Sequence, residues 1–203
     1  MIKMLLLLSL LWSSSVLAAE DGPRILQSAF EQGGLVVAEV APGTRVWVED
    51  RELRVTPEGR FVFGFHRDDP ERVRLRLRRV DGSEVRYDYT VSQREYAVQR
   101  IDGLPEGMVT PPQEVLDRIN RENRRVARAR SDDSAFDGFS EGFVWPTRGR
   151  ISSVYGSQRI LNGVPRQPHF GVDIAAPTGT PIVATASGVV RLAERDLYYT
   201  GGT

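Results

Sequence analysis

Phe61, Phe63 and Phe65 take every second position of one segment, and Val73, Leu75 and Leu77 alternate with Arg74, Arg76 and Arg78 in the next. A period of two marks strands with one face buried and the other wet. The same reading extends over residues 24–100. Residues 35–40 are apolar apart from Glu39, and Pro42-Gly43 turns the chain. Val46-Trp47-Val48 leads to Val55, and Pro57-Glu58-Gly59 turns the chain again. Asp81-Gly82 is a hairpin dipeptide, and Val85, Tyr87, Tyr89 and Val91 alternate on the return strand. Short strands separated by turns predict a small β-sandwich-like domain. Its outward arginines are expected to form a solvated face.

The period then changes. Residues 101–112 carry Gly and Pro and read as a connector. Residues 113–130 place Val115, Ile119 and Val126 on one side of a helix. Six arginines between Arg118 and Arg130 are partly offset by Glu114, Asp117 and Glu122. Such a helix is expected to face solvent, the alternative being contact with an anionic surface or polymer. Residues 131–142 are polar and Gly-containing. With Phe136, Phe139 and Phe143 they predict a linker that packs through its aromatics, so residues 101–143 form one helical linker.

From Val144 the pattern is β again. Residues 151–155, 172–175, 182–184 and 188–192 are predicted strands, with a turn at Pro177-Thr178-Gly179-Thr180. The fold class expected is therefore mainly β: a small sandwich, a short helical linker, and the beginning of an antiparallel β-domain over residues 144–203.

The first residues belong to none of this. Lys3 is followed by an apolar run over residues 4–12 broken only by Ser9, and Val16-Leu17-Ala18 places small residues for a cut after Ala18. That is the layout of a signal peptide over residues 1–18. The run is shorter than the roughly 20 residues a spanning helix needs, and no later segment approaches that length. The mature chain is expected to be soluble and periplasmic or secreted, with no membrane span.

Composition narrows the chemistry. The 203 residues hold 27 basic and 27 acidic side chains and no Cys. The balance argues against a chain-wide grip on nucleic acid. The lack of Cys excludes disulfides, thiolate zinc sites and a Cys nucleophile. Only His66 and His169 are present. His66 lies in the charged turn Phe65-His66-Arg67-Asp68-Asp69-Pro70, where a surface role is expected. His169 opens His169-Phe170-Gly171-Val172-Asp173. Imidazole and carboxylate both bind Zn²⁺, at about 2.0–2.2 Å. Four steps of straight strand would separate them by about 13 Å, so a metal role requires a bend, which Gly171 permits. By itself the H-x₃-D spacing does not establish a metal role, since two ligands fall short of the three a catalytic site takes.

The surroundings carry a resemblance. The run from Trp145-Pro146-Thr147-Arg148-Gly149-Arg150 through Ile151-Ser152-Ser153-Val154-Tyr155-Gly156 resembles the opening of the lysostaphin/LytM-type zinc metallopeptidases. So does Pro168-His169-Phe170-Gly171-Val172-Asp173-Ile174-Ala175-Ala176-Pro177-Thr178-Gly179-Thr180-Pro181-Ile182, and Gly188-Val189-Val190 is similar to the family's next strand. Ser157-Gln158-Arg159-Ile160-Leu161-Asn162-Gly163 resembles the Gram-negative branch, and Arg100-Ile101-Asp102-Gly103-Leu104-Pro105, with the β-domain before it, resembles the region preceding the peptidase there. The resemblance implies an antiparallel β peptidase domain of the duplicated-hybrid-motif type with a groove over one sheet. It implies a zinc endopeptidase that hydrolyses peptide cross-links of bacterial peptidoglycan. By position, His169 and Asp173 match the first two zinc ligands. The family takes its third ligand from a downstream H-x-H motif, whose first His assists catalysis with another His further upstream. No His follows His169. The resemblance therefore implies that these residues are an amino-terminal fragment of the parent enzyme, with no catalytic residue of their own and inactive alone.

Three residues beside the motif are expected at the substrate groove: Arg159, Asn162 and Tyr155. Asn162-Gly163 is equally a turn pair, and Tyr155 equally a core residue. Residues 101–143 could cover the groove in a latent form. Two other functions compete: a non-catalytic envelope regulator of cell-wall hydrolases, and a peptidoglycan-binding module built on residues 24–100. An envelope regulatory protein is the further partner expected.

Overall fold

The alternating segments pair into two sheets. The computed structural model describes residues 22–105 and 111–203. The expected leader over residues 1–18 lies outside the described residues, as do 106–110 of the connector. β1 (Arg24–Ser28), β2 (Leu35–Glu39) and β5 (Arg60–Gly64) form one antiparallel sheet in the order β1-β2-β5. β3 (Arg45–Val48), β4 (Arg51–Leu53), β6 (Arg72–Arg78) and β7 (Glu84–Thr90) form the other, in the order β4-β3-β6-β7. Val36, Ala38, Phe61 and Phe63 from the first sheet meet Val46, Val73, Leu75 and Leu77 from the second in one buried core, joined by Val40, Phe65 and Val91. This is the sandwich that the period of two predicts, because each strand hands every second side chain to the core.

The opposite face of the larger sheet is polar and cross-paired. Arg45 meets Glu52, Arg74 meets Asp88 and Arg78 meets Glu84, each through a guanidinium nitrogen 2.8 Å or less from the carboxylate. Arg74–Asp88 and Arg78–Glu84 are direct cross-strand neighbours, the geometry in which opposite charges support a sheet. The Arg78 guanidinium is the main reason the Glu84 carboxyl lies below the usual carboxylate range. Trp47 sits on this outer face but is only 7% exposed, because Arg45 and Arg76 stack over its ring at 4.8 and 4.1 Å. Arginine stems and planar heads thus cover an outward tryptophan.

β8 (Val98–Ile101) leaves the sandwich and crosses the expected boundary at residue 100. It pairs in parallel with β10 (Gln158–Leu161), which makes a hairpin with β11 (Val164–Pro165). α1 (Gln113–Arg130) has the predicted bounds, with Ile119 on its buried side. Glu114 in the first turn and Arg128 and Arg130 in the last complement the helix dipole. Its arginines are not all directed to solvent. Arg118 binds both the side chain and the carbonyl of Asp196, Arg125 pairs with Glu194, and the Glu122 carboxylate accepts the Tyr198 N–H at 2.7 Å.

Two expectations fail. Residues 182–184 and 188–192 form no strand. Val183 donates to Pro146 O and Val144 to Thr185 O, but no ladder continues from these bonds. A strand needs a partner for its backbone groups, and none of the described sheets offers one; Ile182 and Val190 are 76% and 82% exposed. The aromatic packing of residues 131–143 also fails at two of its three rings: Phe136 and Phe143 are about half exposed, whereas Phe139 is partly buried. A short 3₁₀ turn (Gly138–Glu141) is held instead by Ser187 Oγ donating to Glu141 Oε2 at 2.6 Å. Buried Gly138 lies against the Ser187 carbonyl, where a Cβ would clash. Among the described residues, no helix is long and apolar enough to cross a membrane.

Candidate metal centre

β9 (Arg150–Ser153) and β12 (Asp173–Ala175) pair antiparallel, and Ser153 lies directly opposite Asp173. Side chains of opposed residues share a face of the sheet. One further step along β12 advances two residues along β9, so Ser152 is the extra residue of a bulge. Its hydroxyl donates to Asp173 O at 3.3 Å.

His169 reaches this pair from an irregular segment. Its backbone is pinned from both sides: His169 N donates to Ser157 O at 2.8 Å, and Gly156 N donates to His169 O at 2.7 Å. The chain then bends at Gly171 before entering β12, as a shared site requires. The imidazole spans the two opposed residues. Its Nδ1 lies 2.9 Å from Ser153 Oγ, and its Nε2 lies 3.3 Å from Asp173 Oδ1. The His169 side chain is one-third exposed and that of Asp173 is 61% exposed, so the pair opens to solvent.

The donor atoms can be compared with a metal's demands. Two ligands about 2.0–2.2 Å from a tetrahedral zinc lie about 3.3–3.5 Å apart. The 3.3 Å between Nε2 and Oδ1 matches that edge. Both atoms are of the right chemical kind. The set is nevertheless short. Among the described residues, no group of three or more His, Cys, Asp or Glu side chains could hold a metal, whereas a catalytic zinc takes three protein ligands and an open position.

The other expected site residues are placed differently. Tyr155 turns towards the sandwich: its ring lies 6.5 Å from that of Tyr96 and 5.9 Å from that of Phe170, and it covers Gly33. Asn162 and Gly163, both at positive φ, form the two-residue turn between β10 and β11. The Asn162 amide also clasps the connector, accepting Leu104 N–H at 3.0 Å and donating to Leu104 O at 2.7 Å. Arg159 is exposed on β10, and its carbonyl accepts Arg166 N–H. None of these three makes a hydrogen bond, ion pair or ring contact with the imidazole or with Asp173; they belong to the framework that carries the loop of His169. His66 is exposed in its turn, yet its ring lies 5.1 Å from Phe170, next in sequence to His169.

Ser153 is the site residue that the sequence reading passed over. Its signal lay in strand register: a serine on the strand that pairs with the H-x₃-D segment must face one of that segment's polar residues. The register itself depends on the bulge at Ser152, which no local pattern announces. No protein-family model matches the chain, and no curated protein matches it.

Proposed function

We propose that the chain carries part of an exported zinc endopeptidase that cleaves peptide cross-links of bacterial peptidoglycan, with His169 and Asp173 as two of its metal ligands. The observation that carries this reading is the 3.3 Å convergence of His169 Nε2 and Asp173 Oδ1 on the solvent-open side of the β9–β12 pair. The residues around them resemble the metallopeptidase motifs named above, and the leader pattern over residues 1–18 supports export to the periplasm. A bound zinc supplies Lewis acidity and acidifies a water molecule. The chain's own contribution is to hold two donors at a zinc edge length and to orient the imidazole through Ser153. No third ligand and no base accompany them among the described residues. The 203 residues alone are therefore expected to bind zinc weakly and to leave peptidoglycan intact. A converging, solvent-open donor pair favours this reading over a non-catalytic regulator, which has no need of it.

Calorimetric titration of Zn²⁺ into the chain tests the assignment. His169→Ala and Asp173→Ala should each abolish measurable binding, whereas His66→Ala should leave it unchanged. Binding that survives both site substitutions would remove the assignment. Zinc-dependent release of peptide-linked fragments from purified peptidoglycan by the 203 residues would overturn the expected inactivity.

A further inference from the structure

β7 ends the larger sheet, and its far edge is open. Val91 N donates to Glu71 O at 2.7 Å and Arg79 N to Ser83 O at 2.9 Å, so odd-numbered residues exchange hydrogen bonds at both ends of the β6–β7 ladder. Bonded and unbonded pairs alternate in an antiparallel ladder, and the register runs unbroken from Arg72 opposite Thr90 to Arg78 opposite Glu84. Val85, Tyr87 and Tyr89 therefore bond to β6, and the N–H and C=O groups of Glu84, Arg86, Asp88 and Thr90 point out of the sheet. Among the described residues, no other backbone group bonds to them. β1 breaks its own edge with a bulge, and β4 is only three residues long. β7 offers seven residues with no bulge and no Pro.

Charged side chains ordinarily blunt such an edge. Here they alternate in sign along one face, as Glu84, Arg86 and Asp88. Arg78 holds Glu84, and Arg74 holds Asp88. Arg86 stands opposite Arg76, a like-charge pair that disfavours the sheet. It has no hydrogen bond or ion pair among the described residues. A second β7 laid antiparallel along the open edge changes this. When all seven residues overlap, Tyr87 opposes Tyr87 on the two-fold axis, Arg86 opposes Asp88 and Glu84 opposes Thr90. Each of these even-numbered residues opposes an even-numbered one, so the outward backbone groups of both strands meet. A slip of one residue would bring opposite faces together. A slip of two would oppose Arg86 to Arg86 or Asp88 to Asp88. The Asp88 side chain is 59% exposed, which leaves room for a second guanidinium beside that of Arg74.

We infer that the open edge of β7 receives a second copy of this chain: two β7 strands pair antiparallel about Tyr87, and each Arg86 meets Asp88 of the other copy. One strand edge is a small contact, so the dimer is expected to be weak. Sedimentation equilibrium of the mature chain should show reversible dimerisation between micromolar concentration and about 1 mM. Arg86→Glu sets two carboxylates together at both symmetric contacts and should weaken self-association about tenfold or more. Asp88→Arg should do the same with two guanidiniums. An equimolar mixture of the two variants should dimerise, because each contact then joins opposite charges. Circular dichroism checks that each variant keeps the parent fold. Amide exchange needs no variant: the outward N–H groups of Arg86 and Asp88 should slow as the parent's concentration rises, and that of Tyr87 should not. A parent that stays monomeric to about 1 mM would overturn the inference. So would a dimer that Arg86→Glu leaves undiminished, folded variants that fail to associate when mixed, or exchange at Arg86 and Asp88 that ignores concentration. Should Asp88→Arg lose its fold along with its Arg74 partner, Arg86→Glu and the parent's amide exchange decide.

Discussion

Gly156 shows how narrowly the loop beside His169 is specified. It is buried at φ +84°, and a Cβ there would run into the ring of Tyr96. Its N–H is also the donor that holds the His169 carbonyl. Gly156→Ala is expected to cost about 1–2 kcal/mol from the left-handed backbone alone, with a further cost as Tyr96 is displaced. Denaturant unfolding should show the lowered midpoint, and a midpoint equal to the parent's would refute the local account. This scale was only partly legible in the sequence. The need for a bend between His169 and Asp173 followed from strand rise alone, because two zinc ligands cannot lie 13 Å apart along an extended chain, roughly the length of four strand steps. The partner of the imidazole was not legible, because Ser153 reaches it through a bulged register.

Helices and strands differ in what they need from the rest of the chain, and the elements reflect it. α1 satisfies its backbone internally, so the period of its apolar residues was enough to place residues 113–130. Residues 182–192 have strand-like composition, but a strand's hydrogen bonds must come from elsewhere. α1 is in turn held by its polar side. The Tyr198 N–H, and then Arg118, hold the Glu122 carboxyl below its ordinary range. A carboxyl depressed in the folded state stabilises fully above its unfolded pKa of about 4.3, and that contribution is lost as pH falls through the depressed folded value. Other carboxyls are depressed as well, among them Glu39, Glu84 and Asp133, so a single acid titration cannot isolate this one. The difference between parent and Glu122→Gln can. Thermal midpoints should differ at pH 7 in favour of the parent, and the gap should close as pH falls below the unfolded value and through the depressed folded one, where Glu122 itself becomes neutral. A gap that persists unchanged at low pH would mean that the carboxylate charge is not what holds residues 194–198 to the helix.

At the scale of the whole molecule, hydrogen bonds join the loop of the candidate site to the end of the sandwich where residues 31–33, 66–70 and 92–96 meet. β8 runs parallel to β10, and such a pairing across some sixty residues leaves no local trace in the sequence. Arg67 is the clearest link. Its Nε donates to the Gly156 carbonyl at 2.8 Å, its guanidinium stacks on Tyr96 at 4.7 Å, and its side chain is only 14% exposed. Gly156 then holds His169 through the next peptide group, so the sandwich fixes the imidazole's backbone through two hydrogen bonds in series. Removing a hydrogen bond from a charged donor costs about 1.5–3 kcal/mol, and that cost should fall locally, since the sandwich core does not include Arg67. Arg67→Ala is therefore expected to leave the exchange of core amides such as Phe61 and Leu75 nearly unchanged. The amides of Gly156 and His169 should exchange about tenfold faster or more, because local opening follows local free energy. Zn²⁺ affinity should weaken in parallel, as one ligand loses its fixed position. Equal acceleration at Phe61 and at Gly156 would instead mean that Arg67 supports the fold as a whole, and the sandwich would have no specific part in holding the site.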